Sequence, residues 1–203
     1  MIQQRLITAP IFLILLLWGL QAAATSVLPV SLQHMTTAAE VIFHGAATSN
    51  EVRHDPQSDR VATFTSFEVI ETIKGDVGAT HTIKQVGGQL PGSNVRMVIH
   101  GVPRFSVGQE YVVFLPKASS LGFSSPIGLS QGKFNIRKLN GETVISNGRP
   151  LAALMETTPR PGLPNAPSAL VTSQAPSLKA IADHPSSVRL QDFMQTIRSM
   201  INE

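Results

Sequence analysis

Between residues 38 and 116 the chain alternates between β-prone runs and short breaks at Gly or Pro. The longest run, residues 61–73 (VATFTSFEVIETI), repeats β-branched and aromatic residues at every second position. This alternation is typical of a strand with one buried face. Residues 111–115 (YVVFL) are apolar without interruption, which indicates a central strand buried on both faces. The segment therefore predicts a β-sheet domain.

Turn signals divide the rest of this region into further short strands. Residues 80–86 form one, and Asn140-Gly141 between two alternating runs predicts a hairpin, because both turn positions must accept a positive φ. Residues 49–59 are polar and contain a proline, so they are predicted to be a loop. About seven short strands with close turns predict an all-β domain over residues 27–155, either a barrel or a sandwich.

Residues 1–24 have the pattern of a secretory signal peptide. Arg5 supplies the positive charge, residues 11–20 are apolar, and Ala22 and Ala24 are the small residues of a cleavage site. The apolar run is shorter than the roughly 20 residues that a membrane-spanning helix needs. We therefore expect a secreted or periplasmic protein with no membrane span after cleavage; an uncleaved anchor is the alternative.

Composition limits the chemistry available to the exported chain. The 203 residues carry a formal net charge of +3, and only 14% of them are charged. No cluster of Lys and Arg is interleaved with aromatic residues, so we expect no nucleic-acid partner. The chain has no cysteine, which excludes disulfides, thiol catalysis and cysteine metal sites.

Helical signals occur at both ends of the β-rich region. Thr36 or Thr37 followed by Glu40 has the spacing of a capping box and predicts one helical turn before the first strand. Residues 156–186 are rich in Pro, Ser and Ala, which predicts an extended linker. Residues 187–202 have apolar side chains at three- and four-residue spacing, which predicts an amphipathic helix. This helix either docks on the sheet, which we favour, or binds a partner.

Three segments resemble the netrin-like module of the OB-fold group, which includes the N-terminal domain of tissue inhibitors of metalloproteinases. They are residues 39–45 (AEVIFHG), 67–75 (FEVIETIKG) and 105–115 (FSVGQEYVVFL), in the same order as in that family. The resemblance covers under half of the chain and implies a small OB or netrin-like barrel. Those inhibitors begin with a cysteine that chelates the zinc of the protease, and this chain has none. The chain also resembles exported bacterial proteins of unassigned function.

A short motif raises the alternative of a serine hydrolase. Residues 128–132 (GLSQG) match a nucleophile elbow around Ser130, and Asp183 and His184 follow in hydrolase order. An elbow needs a strand before the serine and a helix after it. Here a hairpin strand is predicted after the motif, so a loop leading into that strand is the favoured interpretation.

The six histidines raise the alternative of a metal enzyme. None forms a His-Glu-x-x-His motif or an i, i+4 pair. His44, His81 and His100 lie on or beside predicted strands, and a barrel could gather them into a three-histidine zinc site. A second candidate for weak metal binding is the group of His54, Asp55 and Asp59 in the predicted loop. Ordinary surface or hydrogen-bonded histidines are favoured, so we expect neither a metal nor a cofactor.

The loop that begins at Gly87-Gly88 is the predicted contact surface. Loops on small barrels often carry recognition, and Arg96, Arg104 and Phe105 follow nearby. We therefore expect a non-enzymatic module that binds another exported protein, such as an exported protease. An envelope structural protein that assembles through its tail helix is a further alternative.

Overall fold

The computed structural model of the chain describes residues 29–94, 96–150, 154–155, 178–179, 184 and 186–202. The predicted signal peptide and most of the predicted linker lie outside these residues. Two helices are described, α1 (Leu32–Ala38) and α2 (Leu190–Asn202). The strands are β1 (Val41–Asp55), β2 (Arg60–Lys74), β3 (Thr80–Val86), β4 (Gly88–Gln89), β5 (Arg96–Met97), β6 (Glu110–Leu115), β7 (Lys133–Leu139), β8 (Glu142–Ser146) and β9 (Val188–Arg189).

Seven strands form one antiparallel sheet in the order β3-β2-β1-β6-β7-β8-β9, and β4 pairs with β5 separately. Strands β1 to β3 follow one another, and β6 returns beside β1, which is the strand order of a Greek key. The predicted β class with a C-terminal helix is confirmed. Across the described strands the sheet is open, with β3 and β9 at its edges, so closure into a barrel is not seen.

The hairpin of β1 and β2 extends much further than the sequence indicates. Residues 49–55 were predicted to be loop, but they continue β1 and pair with β2 as far as Asp55 and Arg60. Register shifts at three places interrupt this pairing, and one lies between His44 and Gly45. A Cβ at Gly45 would lie 2.7 Å from the carbonyl oxygen of Glu68, so the two strands approach too closely there for any side chain.

Both faces of the sheet are buried. Strand β6 contributes Val112 and Phe114 to one apolar cluster and Tyr111, Val113 and Leu115 to the other. The predicted double burial of this strand is therefore confirmed. The first cluster also contains the buried apolar side chains of both helices. The second contains aromatic rings of β1 and β2 and the ring of Phe105.

Helix α1 begins earlier than the predicted turn. Its N-cap is Ser31, whose hydroxyl oxygen accepts a hydrogen bond from the backbone N–H of His34 (3.2 Å). The helix ends at Ala38, before Glu40, so the predicted capping box at Thr36 or Thr37 is wrong.

Helix α2 docks on the sheet. Its buried residues are Phe193, Met194, Thr196 and Ile197, and the Phe193 ring lies 4.7 Å from the ring of Phe134 in β7. The favoured docking of the tail helix is therefore what the structure shows. No helix in the described part of the chain has the length and apolar character needed to cross a membrane.

Candidate functional site

A cleft of about 580 Å³ lies between the sheet and the segment that links β3 to β6. Its floor is formed by Asn50 and Val52 of β1, Thr63 and Thr65 of β2, and Gln85 of β3. Thr63, Thr65 and Phe67 occupy every second position of β2. Their side chains therefore project from the same face of the sheet. The cleft is therefore a polar continuation of the apolar cluster that contains Phe67.

All five residues of the predicted contact surface line this cleft. Gly87 follows β3 directly, Gly88 begins β4, and Arg96 begins β5. Arg104 and Phe105 lie on the return path to β6. The linking segment thus folds back over the sheet, and residues separated by up to 18 positions surround one cavity.

The two adjacent glycines allow the linking segment to lie close to the sheet. Gly87 has φ +98° and Gly88 has φ +136°, conformations that side chains disfavour. A Cβ at Gly88 would lie 2.5 Å from Val52 Cγ1 and 2.7 Å from Thr63 Oγ1. These glycines therefore allow the linking segment to pack closely against β1 and β2.

Hydrogen bonds tie the polar floor to the linking segment. Thr63 donates to the carbonyl oxygen of Gly87 (2.7 Å), and the amide of Asn50 donates to the carbonyl oxygen of Phe105 (2.8 Å). Thr65 in turn donates to the side-chain oxygen of Asn50 (2.7 Å). The floor groups thus hold both ends of the linking segment against the sheet.

Phe105 forms the inner wall of the cleft. Its ring is only 4% exposed and packs edge-on against Phe67 and Tyr111, at centroid distances of 5.0 and 5.2 Å. Lys133 lies over the ring of Tyr111 (4.9 Å) and donates to the carbonyl oxygen of Arg104 (2.6 Å). Burial lowers the pKa of Lys133. Phe105 therefore anchors the segment that carries Arg104, and its ring is not an exposed contact.

The rim of the cleft combines cationic and apolar side chains. Arg96, His100 and Arg104 are exposed, and Met97, Val98 and Ile99 between them are 39%, 50% and 42% exposed. Among the described lining residues there is no Asp or Glu. Of residues 96–99, only Arg96 and Met97 pair with another described strand, β4. The exposure of this apolar run was not predicted from the sequence.

The structure does not bring His44, His81 and His100 together. His44 Nε2 lies 2.9 Å from Glu110 Oε2. The ring of His81 packs against Phe43 (5.3 Å), and burial lowers its pKa. Within the described ranges, no group of three or more His, Asp or Glu side chains could hold a metal ion.

Ser130 lies in a 3₁₀ turn, Leu129–Gly132, that leads directly into β7. A nucleophile elbow requires a helix after the serine, so the favoured interpretation of a loop entering a strand agrees with the geometry. Asp183 lies outside the described residues. His184 is exposed, and no hydrogen bond between described residues joins it to Ser130. Within the described residues, His184 is therefore not placed as a general base for Ser130.

The roles of the cleft residues rest on this geometry. No protein-family model matches the chain, and no curated protein sequence matches it significantly.

Proposed function

We propose that this protein is an exported, non-enzymatic module that binds another exported protein through the cleft. The observation that carries the proposal is the rim, where exposed Met97, Val98 and Ile99 lie between Arg96 and His100. Exposed apolar side chains that occur together often mark protein contact sites. Met and Arg are also enriched at protein interfaces, where Asp and Glu are depleted. An exported protease remains one class of partner within this proposal.

The strand order supports a further proposal, that the sheet is a netrin-like domain of OB type. An OB fold is a five-stranded, partly open Greek-key barrel. Strand order β3-β2-β1-β6 has the Greek-key arrangement, and β7 continues it as a fifth strand. At the β3 edge, Lys84 forms an isolated parallel bridge with Phe123, which would be the start of closure. Since the chain has no cysteine, the zinc-chelating terminus of the related inhibitors is not part of the proposal.

Export and location rest on the sequence of residues 1–24. Their charged start, apolar run and Ala-x-Ala end support secretion or transfer to the periplasm. The alternative of assembly through the tail helix is less well supported, because the apolar side chains of α2 are covered by the sheet. Phe193 and Ile197 are fully buried there.

A pull-down with matched variants tests the binding proposal. The chain from Thr25 onward, tagged at its C-terminus, is incubated with the exported proteins of its host, and the captured proteins are identified by mass spectrometry. We expect one stoichiometric partner for the native chain and loss of that partner with Val98→Asp. The control is Ile70→Asp, because Ile70 is equally exposed (54%) but does not line the cleft.

Two results would contradict the proposal. One is that the folded native chain captures no protein. The other is that Val98→Asp and Ile70→Asp capture the same partner equally well, because the contact would then lie elsewhere.

A further inference from the structure

We propose that the cleft recognises a short acidic peptide segment in which carboxylates flank an apolar residue. The carboxylates would bind Arg96 and Arg104, and the apolar residue would contact the exposed side chains at residues 97–99. This inference rests on the proposed binding function and specifies the chemistry of the partner. It follows from the charge balance of the cleft, the composition of its rim and the arrangement of its floor.

The basic side chains of the cleft have no carboxylate partner among the described residues. None of the ion pairs between described residues involves Arg96, His100 or Arg104. Neither Asp nor Glu occurs among the described lining residues. A guanidinium group matches a carboxylate through two parallel hydrogen bonds, which makes an exposed arginine selective for such a group. The cleft is therefore complementary to negative charge.

Three other described arginines are paired with a carboxylate, whereas Arg60, Arg137 and Arg149 are not. Arg189 is paired with Glu142 through three N–O contacts of 3.0 to 3.1 Å, and Arg53 lies 3.1 Å from Glu51. Arg198 forms an ion pair with Glu71. Glu51 lies two residues from Arg53 on the same strand, and Glu142 and Glu71 lie on strands beside Arg189 and Arg198. Arg96 and Arg104 have no such carboxylate within the described residues, so the ligand would supply it.

The exposed apolar side chains of the rim favour a peptide over other polyanions. A sulfated polysaccharide or a phosphate polymer would bind the arginines but would leave Met97, Val98 and Ile99 without a function. A single-stranded nucleic acid needs exposed aromatic faces for base stacking, and the Phe105 ring at the cleft is buried. A peptide can offer carboxylates and an apolar side chain together. The volume of about 580 Å³ also lies within the usual range of ligand sites.

The polar groups of the floor are prearranged and do not compete with the rim for the ligand. The hydroxyl groups of Thr63 and Thr65 and the amide of Asn50 already donate hydrogen bonds within the protein. Binding therefore need not break them, and the cations on the rim are the donors that face the ligand. The floor also fixes the backbone at Gly87 and Phe105. The segment between them, which carries both arginines, is therefore held at both ends before the ligand binds.

Fluorescence anisotropy with defined probes tests the inference. The probes are a fluorescein-labelled peptide of alternating Glu and Leu, the same peptide with Gly in place of Leu, and labelled dextran sulfate, all at physiological salt. The proteins are the native chain, the double variant Arg96→Gln/Arg104→Gln, and the control Arg137→Gln/Lys138→Gln. The control removes two exposed cations from β7 and so changes the net charge by the same amount.

The native chain and the control should bind the Glu-Leu peptide equally well. Each arginine that is lost should weaken binding about tenfold, because a hydrogen bond to a charged group contributes about that factor in affinity. The Glu-Gly peptide and dextran sulfate should bind more weakly than the Glu-Leu peptide. This pattern would support an acidic peptide with an apolar residue as the ligand.

Three outcomes would overturn the inference. They are no binding of the Glu-Leu peptide, equal loss of binding in the control, and binding of dextran sulfate as tight as that of the peptide. The pull-down distinguishes these failures from failure of the proposed function. If the Arg96→Gln/Arg104→Gln variant still captures the partner and Val98→Asp does not, the cleft binds a protein but does not select acidic residues.

Discussion

The ammonium group of Lys84 lies 2.7 Å from Asp55 Oδ2, and both side chains are almost fully buried. Lys84 also donates to the carbonyl oxygen of Leu121 (2.7 Å) and lies 4.5 Å from the centre of the Phe123 ring. Asp55 in turn accepts hydrogen bonds from the backbone and the hydroxyl group of Ser58. One ion pair thus joins the end of β1, the middle of β3 and the loop after β6.

Removing one partner of this pair should cost more stability than removing both. Lys84→Met would leave the carboxylate of Asp55 buried without its cation, and Asp55→Leu would leave the ammonium group unpaired. The double variant removes both charges and should be more stable than the two single losses predict. Urea denaturation of all four proteins measures the coupling. Strictly additive losses would show that the pair contributes no coupling energy.

The same pair should make stability sensitive to acid. The hydrogen bond from Lys84, followed by those from Ser58, lowers the pKa of Asp55 below the usual value of an aspartate. In the unfolded chain an aspartate has a pKa of about 3.9. The unfolded state therefore binds more protons between these two pKa values, and the stabilisation that is complete above about pH 4 is lost as the pH falls through the folded-state pKa.

The measurement is the free energy of unfolding against pH for three proteins: native, Asp55→Asn and Asp76→Asn. Asp76 is exposed, so its substitution should leave the acid-induced loss unchanged. The Asp55→Asn variant should be less stable than the native chain at neutral pH. Its free energy of unfolding should fall less than that of the native chain on acidification. If the native and Asp55→Asn curves run parallel below about pH 4, the lowered pKa has no effect on folding.

Much of the sheet could be predicted from local sequence. The bounds of β3 agree with the predicted residues 80–86, and the hairpin turn at Asn140-Gly141 has φ +50° and +82°. Alternation, apolar runs and turn residues act within a few positions, so one sequence suffices to read them. The polar end of β1 could not be predicted in this way. Residues 49–55 form a strand because β2 pairs with them, a tertiary effect that overrides weak local preference.

The cleft could be predicted only on one side. One continuous segment contains Gly87, Arg96 and Arg104, and its glycine pair marks the start of a loop in the sequence. Asn50 and Thr63 of the floor are distant in sequence and reach the cleft through strand pairing, so no local pattern identifies them. The burial of Phe105 was not predicted either, because it depends on contacts with Phe67 and Tyr111.

Gly88→Ala should distort the cleft and destabilise the protein. Its φ of +136° is strained for alanine, and the new methyl group would collide with Val52 and Thr63. We expect a loss of about 1–3 kcal/mol in the free energy of unfolding from the backbone conformation, and more from the collision. Partner capture should fall as well.

The control for this substitution is Gly92→Ala, in the turn between β4 and β5. Gly92 also has a positive φ, +69°, but a Cβ there would have nothing within 4 Å. Urea denaturation should therefore show a smaller loss for Gly92→Ala than for Gly88→Ala. Equal losses would mean that the close approach of the linking segment to the sheet does not limit the choice of residue at position 88.

Phe193→Ala should destabilise the whole domain, because the ring of Phe193 connects α2 to the core. It is fully buried and lies 4.7 Å from the ring of Phe134 and 6.4 Å from that of Phe114. Truncation of a buried phenylalanine typically costs about 3–5 kcal/mol, so the melting temperature should fall clearly. The control Gln191→Ala changes an exposed residue of the same helix and should leave stability nearly unchanged. If Phe193→Ala also leaves stability unchanged but abolishes partner capture, α2 does not stabilise the sheet and is itself the binding element.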